Sequence, residues 1–246
     1  MINVVIPMAG LGIRFAEAGY KKPKPFIDVE GKPMIIRVLE NLNYKDARYI
    51  LIARKEHIIS EAETIKLIEE KFNAIFVPIE NVTEGTACTV LYARKLINND
   101  VPLLIANSDQ IIELKIEEFI ETCSKEGLDG SILTFIDETG DEKWSYAKID
   151  DKNHVMQVQE KKAISRYATV GIYFFSKGRD FVDACIDMII ARDQTNNEYY
   201  TCPAYNYSIA NGKKIGIYNI SRKAMHGIGT PQDLTKYITY LNQKIN

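Results

Sequence analysis

The sequence is poor in the residues on which metal clusters and disulfide frameworks depend. Its 246 residues include three histidines and four cysteines, and the cysteines are scattered singly at Cys88, Cys123, Cys185 and Cys202. No Cys-x-x-Cys pair and no histidine at finger spacing accompanies them, which argues against a zinc site. Isolated cysteines are typical of reduced thiols, so we expect a cytoplasmic protein.

The sequence also lacks a strong excess of charge of either sign and a long hydrophobic run. The formal net charge is −2, so a broad basic surface for nucleic acid is not expected. The apolar run at residues 2–7 has no basic residues before it and breaks at Gly10, unlike a signal peptide or a membrane span. We therefore predict a protein that binds neither nucleic acid nor membranes.

The rest of the composition is that of an ordinary globular protein. Hydrophobic residues make up 46% of the chain and charged residues 26%, which supplies enough apolar material for a large core. We find no repeat, linker or low-complexity tract. The sequence therefore predicts one domain over residues 1–246.

In the first half of the chain, short apolar runs alternate with segments of helical periodicity. The predicted strands are 4–6, 49–53, 74–78 and 103–106, and the predicted helices are 34–42, 56–72 and 87–97. This alternation is typical of crossover units in a mainly parallel, doubly wound sheet. Ligands bind such sheets at the carboxyl ends of the strands, where the strand order reverses. If the first and fourth strands are neighbours, the residues that follow them face one crevice.

The second half of the chain has a different pattern, with strands joined by short polar turns. Strands are predicted at 131–136, 147–150, 154–160 and 170–175, followed by helices at 178–192 and 199–211, a strand at 214–220 and a helix at 231–243. The predicted fold is therefore α/β and Rossmann-like, a mainly parallel mixed sheet with an antiparallel extension. We expect residues 1–110 to bind a nucleotide and residues 111–246 to bind the second substrate.

The first predicted strand ends in a glycine turn that is followed by cations. Gly10 and Gly12 expose backbone N–H groups, which bind anions well. Arg14 follows them, and Lys24 lies between two prolines. Single Arg and Lys residues are usually solvated surface charges, but this grouping favours a polyphosphate ligand. A dinucleotide fingerprint would need a further glycine at Phe15, so the sequence argues against hydride transfer.

Seven motifs follow one another along nearly the whole chain: Gly10-Leu11-Gly12-Ile13-Arg14-Phe15, Pro23-Lys24-Pro25-Phe26, Gly31-Lys32-Pro33-Met34, Glu84-Gly85-Thr86-Ala87, Asn107-Ser108-Asp109, Glu160-Lys161 and Gly229-Thr230-Pro231. In these motifs and their order, the sequence resembles the nucleotidyltransferases that make nucleotide-activated sugars and related metabolites. The resemblance implies a GT-A-like nucleotidyltransferase fold. It also implies transfer of a nucleotidyl group from a nucleoside triphosphate to an acceptor phosphate, with release of pyrophosphate.

The resemblance implies roles for residues in the first half of the chain. Lys24 and Arg14 are the expected catalytic residues, because fixed cations stabilise the charge that develops on the α-phosphate. The expected nucleotide-binding residues are Met8, Ala9, Gly10, Gly12, Glu84, Gly85, Thr86 and Asn107. Gly85-Thr86 would read the base, although a helix-capping turn explains this pair equally well. The attacking phosphate oxygen is already anionic, so no general base is required.

Asp109 is the expected ligand of Mg²⁺, the cofactor that the resemblance implies. An Asp after a strand is also a common helix N-cap, so that reading stays open. Many family members carry a second carboxylate where this chain has Gly227. Asp233 is a second candidate ligand, although it also suits the first turn of a helix. His226 is a third candidate.

The resemblance also implies acceptor-binding residues, namely Glu160, Lys161, Tyr146, Thr169, Asn197 and Glu198. Two positions depart from the sugar enzymes, since Ala147 stands where many have Gly and Thr169 where many have Asn. An acceptor other than a common hexose phosphate would explain both departures. Residues 196–200 form either a capped helix or a wall of the acceptor site. Trp144 fits either the core or a loop over the site.

Within the family, residues 7–12, 23–26 and 196–200 are most similar to cytidylyltransferases of capsule gene clusters. This similarity predicts CTP as the donor, L-glutamine phosphate as a candidate acceptor, and a role in modifying capsular or surface polysaccharide. The alternative is a sugar 1-phosphate nucleotidyltransferase that makes a nucleotide-sugar. A non-catalytic nucleotide-binding subunit is a third reading, which Gly227 motivates. The sequence is compatible with a homo-oligomer.

Overall fold

One nine-stranded sheet runs through both halves of the chain: seven strands form a continuous path, and the other two form one branch from it. The computed structural model describes residues 1–245. The strands are β1 (Ile2–Pro7), β2 (Asp28–Val29), β3 (Lys32–Pro33), β4 (Ala47–Arg54), β5 (Ala74–Ile79), β6 (Leu103–Ala106), β7 (Gln110–Ile112), β8 (Gly130–Ile136), β9 (Ser145–Ile149), β10 (Val155–Glu160), β11 (Tyr167–Phe175), β12 (Ile215–Ile220) and β13 (Met225–Gly227).

The helices connect these strands and cover both faces of the sheet. They are α1 (Ile13–Glu17), α2 (Met34–Asn41), α3 (Lys55–Ser60), α4 (Ala62–Phe72), α5 (Thr86–Leu91), α6 (Arg94–Ile97), α7 (Ile116–Lys125), α8 (Gly178–Ile190), α9 (Ala204–Ala210) and α10 (Pro231–Ile245). Two 3-10 turns, Lys24–Phe26 and Arg222–Ala224, lie in the connections. No helix in the described part of the chain has the length and apolar character needed to cross a membrane.

The strand order is β10-β9-β11-β6-β1-β4-β5, with β8 paired to β11 and β12 paired to β8. Strands β6, β1, β4 and β5 are parallel to one another. Strand β11 is antiparallel to β6 and joins the second half of the chain to the first. The predicted α/β fold with a mainly parallel sheet and an antiparallel extension is therefore confirmed, as is the predicted pairing of the first and fourth strands.

The sheet is buried on both faces, which explains why its strands are continuous apolar runs. In β1, Val4 and Ile6 pack into one core cluster, whereas Val5 packs into the other. This alternation follows from the two-residue period of a strand. Helices α2, α4, α7 and α10 contribute to the first cluster, and α5, α6, α8 and α9 contribute to the second.

Three predicted helices differ from the structure by an interruption or by several residues, whereas the other three differ by one or two residues at their C-terminal ends. The predicted helix at 56–72 is interrupted at Glu61, whose φ of −113° separates α3 from α4. The predicted helix at 87–97 is divided into α5 and α6 by a short turn. The predicted helix at 199–211 begins only at Ala204, because residues 199–201 form hydrogen bonds with the loop before α5 instead.

Sequence analysis missed helix α7 and the antiparallel ribbon of β7 and β13. Helix α7 carried a clear signal, since Ile116, Phe119, Ile120 and Cys123 form one buried face. The ribbon did not, because each of its strands has only three residues. In the ribbon Gly227 pairs with Gln110, next to Asp109.

Candidate active site

Two adjoining cavities open at the carboxyl ends of β1 and β6. The turn cavity, of about 520 Å³, is lined mainly by the glycine turn at residues 10–15 and the residues after β6. The sheet cavity, of about 420 Å³, is lined mainly by residues of β9 to β11 and their neighbours. Both cavities are lined by the same six residues where they meet: Arg14, Lys24, Thr86, Asn107, Asp109 and Gly229.

The glycine turn has the conformation that glycine allows at low cost. Gly12 has φ 63° and ψ 29° and precedes α1. A Cβ atom on Gly12 would lie 3.1 Å from the Cβ of Lys24, so the missing side chain lets the Lys24 segment approach the turn. Arg14 is exposed and lines both cavities. Among residues 1–245 it has no ion-pair partner, so its charge is available to a ligand.

Lys24 and Asp109 form an ion pair where the two cavities meet. Lys24 begins a 3-10 turn whose next residues, Pro25 and Phe26, are buried and anchor it. Both charged side chains remain partly exposed, at 21% and 22%. Gly229 packs directly against the Asp109 carboxylate, and any Cβ atom there would clash with it. Gly229 therefore lets the backbone of the Gly229-Thr230 pair approach the Asp109 carboxylate closely.

The residues around Asp109 fit a metal that arrives with a nucleotide better than a metal held by protein alone. Within residues 1–245, no group of three or more His, Cys, Asp and Glu side chains is placed to hold an ion. Mg²⁺ is commonly held by one or two carboxylates together with substrate phosphates. Asp109 is exposed to the cavity and already faces the Lys24 cation, so it can supply one such carboxylate.

The other two metal candidates have structural partners. Asp233 lines the sheet cavity, but its carboxylate accepts a hydrogen bond of 2.8 Å from the Thr230 hydroxyl at the start of α10. His226 lies outside both cavities, with its ring 4.4 Å from that of Tyr240 and its Nε2 3.4 Å from Glu113. Its geometry favours packing of α10 over metal binding.

The loop before α5 is bonded to residues 199–201. The Tyr199 N–H donates to the Glu84 carbonyl at 2.7 Å, and the Ala87 N–H donates to the Tyr199 carbonyl at 3.0 Å. Gly85 has φ 116°, and a Cβ atom there would clash with the Tyr199 backbone. Only glycine fits this loop, and the reason is contact with the second half of the chain.

Thr86 lines both cavities, whereas Glu84 and Gly85 line neither. The Thr86 hydroxyl oxygen accepts hydrogen bonds of 3.1 Å from the N–H and the hydroxyl of Thr201. Its own hydrogen remains available for donation to a ligand. In this arrangement, neither Glu84 nor Gly85 is placed to contact a nucleotide bound in either cavity.

The inner wall of the sheet cavity carries a buried carboxylate and several hydroxyls. Glu160 ends β10 and accepts a hydrogen bond from the Ser145 hydroxyl. Burial raises the pKa of Glu160, although the Ser145 hydrogen bond and the nearby Lys161 charge oppose the rise. The Thr169 and Tyr173 hydroxyls are 3.2 Å apart on the neighbouring strand. This wall can bind polar groups of a ligand.

Lys161 places a cation next to that wall. Its backbone φ is 54°, and its N–H donates to the Trp144 carbonyl at 3.1 Å. Its ammonium donates to the Tyr200 hydroxyl at 2.6 Å. Because no carboxylate among residues 1–245 forms an ion pair with Lys161, its charge can bind an anionic group.

Asn107 is held at the site by a bulge in β11. The register of β11 against β8 shifts between Thr169 and Tyr173, and Gly171 within the shift has φ 88°. The Asn107 N–H donates to the Gly171 carbonyl at 3.0 Å, and the Asn107 side chain occupies the space that a Cβ atom on Gly171 would need. The bulge therefore joins the strand that carries Thr169 to the end of β6.

Lys143 and Arg222 are among the residues that line the sheet cavity and that sequence analysis did not select. Trp144, for which the sequence left both the core and a loop over the site open, also lines this cavity, and its ring packs edge-on against Phe135 at 5.2 Å. No local pattern marks Arg222, because it reaches Trp144 only through the pairing of the distant strands β8 and β12.

The structure does not bring Tyr146, a predicted acceptor-binding residue, to either cavity. Its side chain is fully buried in the core, and its hydroxyl donates to Asp137 at 2.6 Å and to the Asp141 carbonyl at 3.0 Å. Adjacent strand residues face opposite sides of a sheet. Ser145, which the sequence analysis did not select, faces the cavity instead.

Two further predicted contacts do not reach the cavities. Ala9 is buried in the core behind the glycine turn, and neither it nor Asn197 lines a cavity. Asn196 and Asn197 adopt left-handed φ values of 51° and 61°, and this turn directs Asn197 to solvent. Met8 and Gly10, two predicted nucleotide-binding residues, line the turn cavity. Glu198, which was predicted to bind the acceptor, lines the turn cavity and not the sheet cavity.

The chain is similar in sequence to a family of known proteins. The family model described as nucleotidyl transferase matches residues 3–240. The bifunctional protein GlmU of Methanocaldococcus jannaschii is 26% identical over 183 residues, which cover 72% of this chain and 40% of that protein. A mannose-1-phosphate guanyltransferase of Aspergillus oryzae is 29% identical over 140 residues, 56% of this chain and 38% of that protein. The chain thus spans about two-fifths of the length of these relatives.

A solved structure shows the same fold at lower identity. The nucleoside-diphosphate-sugar pyrophosphorylase from Vibrio cholerae RC9 superposes with a TM-score of 0.79 at 22% identity. The match covers 96% of this chain and 99% of that one. The arrangement of the sheet and its helices is therefore shared along almost the whole chain.

The corrected position of Tyr146 leads to a stability prediction. Burial alone would raise the pKa of Asp137, but hydrogen bonds led by that from Tyr146 lower it to about 2. A Tyr146→Phe substitution removes this bond and should lower the free energy of unfolding by about 1–2 kcal/mol at neutral pH. Urea denaturation of the two proteins measures the difference.

The pH dependence of this difference follows from the lowered pKa. A carboxylate with a lowered pKa stabilises the folded state above its ordinary value of 3.8, and this contribution is lost as the pH falls through about 2. The difference between wild type and Tyr146→Phe should therefore shrink in that acid range. If Tyr146→Phe instead changed the KM for substrate without a loss of stability, Tyr146 would have a role in substrate binding.

Proposed function

The chain belongs to the nucleotidyl transferase family, and we propose that it transfers a nucleotidyl group from a nucleoside triphosphate to the phosphate of a small acceptor. The observation that carries this proposal is the meeting of the two cavities at Arg14, Lys24 and Asp109. A triphosphate in the turn cavity and an acceptor in the sheet cavity would both reach these charges. We assign residues 1–110 mainly to the nucleotide and residues 111–246 mainly to the acceptor.

The reaction is a displacement at the α-phosphorus. An anionic oxygen of the acceptor phosphate forms the new P–O bond, the bond between the α-phosphorus and the bridging oxygen breaks, and pyrophosphate leaves with that electron pair. Negative charge on the α-phosphate oxygens rises in the transition state, and fixed cations stabilise it. Lys24 is the proposed source of this stabilisation, and Arg14 holds the departing phosphates.

The acceptor phosphate needs its own cation, because two polyanions repel each other. Lys161 lies in the sheet cavity without a carboxylate partner among the described residues, so we assign it to the acceptor phosphate. The wall of Glu160, Ser145 and Thr169 would bind polar groups elsewhere on the acceptor. Alignment of the two reactants and neutralisation of their charge then account for catalysis.

Mg²⁺ is the proposed cofactor, with Asp109 as its protein ligand. When bound, the metal would neutralise phosphate charge and help to orient the triphosphate. The ion pair between Lys24 and Asp109 shows that this carboxylate already receives a cation. The cytoplasm, where nucleoside triphosphates are available, remains the proposed compartment.

A sugar 1-phosphate is the proposed acceptor class. Its support is the similarity to the mannose-1-phosphate guanyltransferase of Aspergillus oryzae over 56% of this chain. The second candidate is the cytidylyl transfer from CTP to L-glutamine phosphate that sequence analysis favoured. Its support is the chain's own departures at Ala147 and Thr169, the second of which lines the sheet cavity.

The test is pyrophosphate release in a matrix of the four ribonucleoside triphosphates and dTTP against sugar 1-phosphates, phosphocholine and L-glutamine phosphate. Release with a sugar 1-phosphate supports the first acceptor class, and release only with CTP and L-glutamine phosphate supports the second. If no pair releases pyrophosphate while a triphosphate binds in calorimetry, the non-catalytic reading replaces the proposal.

Lys24→Ala should lower kcat by roughly 10²–10³, the scale of losing one preorganised charge-stabilising donor. The matched control is Lys21→Ala, which removes an exposed cation from the same segment. Turnover is measured with the best donor and acceptor of the matrix. If Lys24→Ala turns over as fast as wild type, Lys24 has no part in the transition state.

Asp109→Asn keeps the size of the side chain but removes its charge. We expect magnesium-dependent turnover to fall by about a hundredfold or more, because a bound metal supplies several kcal/mol of transition-state stabilisation. Turnover is measured against magnesium concentration, with Asp151→Asn as the control for loss of an exposed carboxylate. An unchanged magnesium profile in a folded Asp109→Asn protein would contradict the assignment.

A further inference from the structure

Three cations that line the sheet cavity have no carboxylate partner among residues 1–245: Arg14, Lys161 and Arg222. Lys24 differs from them because Asp109 pairs with it, and Lys143 pairs with Asp141 at 2.7 Å. The proposed reaction assigns Arg14 to the triphosphate and Lys161 to the acceptor phosphate. It leaves Arg222 with a charge, access to the cavity and no ligand.

The guanidinium of Arg222 lies over the aromatic rings of Phe135 and Trp144, which we call the Trp144 shelf. Its guanidinium carbon lies 5.0 Å from the centre of the Phe135 ring and 5.8 Å from that of Trp144. Phe135 is completely buried, and Trp144 packs edge-on against it. Stacking on aromatic rings fixes the plane of a guanidinium, and a fixed guanidinium can bind a planar or tetrahedral oxyanion through two parallel N–H groups.

The polar contacts of Arg222 within the protein are few. One N–H group donates to the Met225 carbonyl at 3.4 Å, a long hydrogen bond that leaves the other donors unused. Arg222 is exposed and lies in the 3-10 turn between β12 and β13. Its donors can therefore reach a ligand in the sheet cavity.

Lys143 adds a second positive charge at the same shelf. Its ammonium lies 4.9 Å from the centre of the Trp144 ring. Its partner Asp141 offsets one charge, so the two cations around Trp144 retain a net positive charge. The hydroxyls of Thr169 and Tyr173, which line the same cavity, can bind uncharged groups.

We propose that Arg222, with Lys143 beside it on the Trp144 shelf, binds a second anionic group of the acceptor, separate from the phosphate that attacks. The acceptor is then a phosphorylated acid, which carries a carboxylate or a second phosphate in addition to the reacting phosphate. A sugar acid 1-phosphate and a phosphorylated amino acid meet this requirement, whereas a neutral hexose 1-phosphate does not. This inference rests on the proposed function, since that function assigns Lys161 to the first phosphate.

The test compares ligands that differ only in the second anion. Calorimetric titration uses two matched pairs: glucose 1-phosphate against glucuronic acid 1-phosphate, and glycerol 3-phosphate against 3-phosphoglycerate. Glucose 1,6-bisphosphate is the arm that distinguishes a second phosphate from a carboxylate. In wild type, the doubly anionic member of at least one pair should bind about tenfold more tightly or better, the scale of one charge-assisted hydrogen-bonded contact.

Arg222→Met keeps an apolar side chain on the Trp144 shelf and should abolish the preference for the doubly anionic ligand. Lys223→Met removes the neighbouring exposed cation, which lines neither cavity, and should retain it. Arg222→Lys keeps the charge without the fork and should recover part of the preference. Melting temperature and nucleoside triphosphate affinity, both expected to stay unchanged in Arg222→Met, exclude misfolding as the cause.

Equal affinities within both pairs for wild type would overturn the inference, as would a preference that survives Arg222→Met or a failure of every probe to bind. These binding measurements need no turnover, so their failure is distinct from failure of the proposed function. If a doubly anionic acceptor supports pyrophosphate release with the same KM in wild type and Arg222→Met, the function stands and the second anion subsite does not.

Discussion

The ion pair between Lys24 and Asp109 is the contact on which the organisation of this site depends. Its two members are 85 residues apart and come from the turn after β1 and the end of β6. A partly exposed ion pair adds little net stability, because desolvation and side-chain ordering oppose the Coulombic attraction. Its value is therefore chemical, since it holds a cation and a carboxylate together where two cavities meet.

Several local features of the chain serve this arrangement. Gly12 allows the Lys24 segment to approach the glycine turn, and Gly229 allows the backbone after β13 to approach Asp109. The ribbon of β7 and β13 brings Gly229 to that position. The loop at Gly85 is bonded to Tyr199 and Thr201, so the loop before α5 is fixed to the segment before α9.

Much of this fold could be predicted because its signals are local. The apolar runs of β1 and β6 and the motifs at Gly10, Lys24 and Asp109 are contiguous in sequence, and the parallel pairing of β1 with β6 follows from doubly wound topology. The extended path before Ala204 depends on tertiary hydrogen bonds that periodicity does not report. The helix break at Glu61 is a change of backbone angle inside a continuous helical pattern, so periodicity does not report it either.

The acceptor side was harder to predict, because a strand shifts its side chains from one face to the other with each residue. Resemblance placed Tyr146 in the site, one residue away from Ser145, which faces the cavity. Arg222 reaches the Trp144 shelf only through the pairing of β12 with β8, so no local sequence pattern marked it. The charge of Arg222, unpaired within residues 1–245, is the observation on which the proposed second anion subsite rests.

The most direct measurement is a crystal structure with magnesium and a non-hydrolysable α,β-methylene nucleoside triphosphate. We predict that the triphosphate lies in the turn cavity, that the Lys24 ammonium leaves Asp109 for phosphate oxygens, and that Asp109 faces the metal. A triphosphate bound elsewhere, with the ion pair between Lys24 and Asp109 unchanged, would contradict the account.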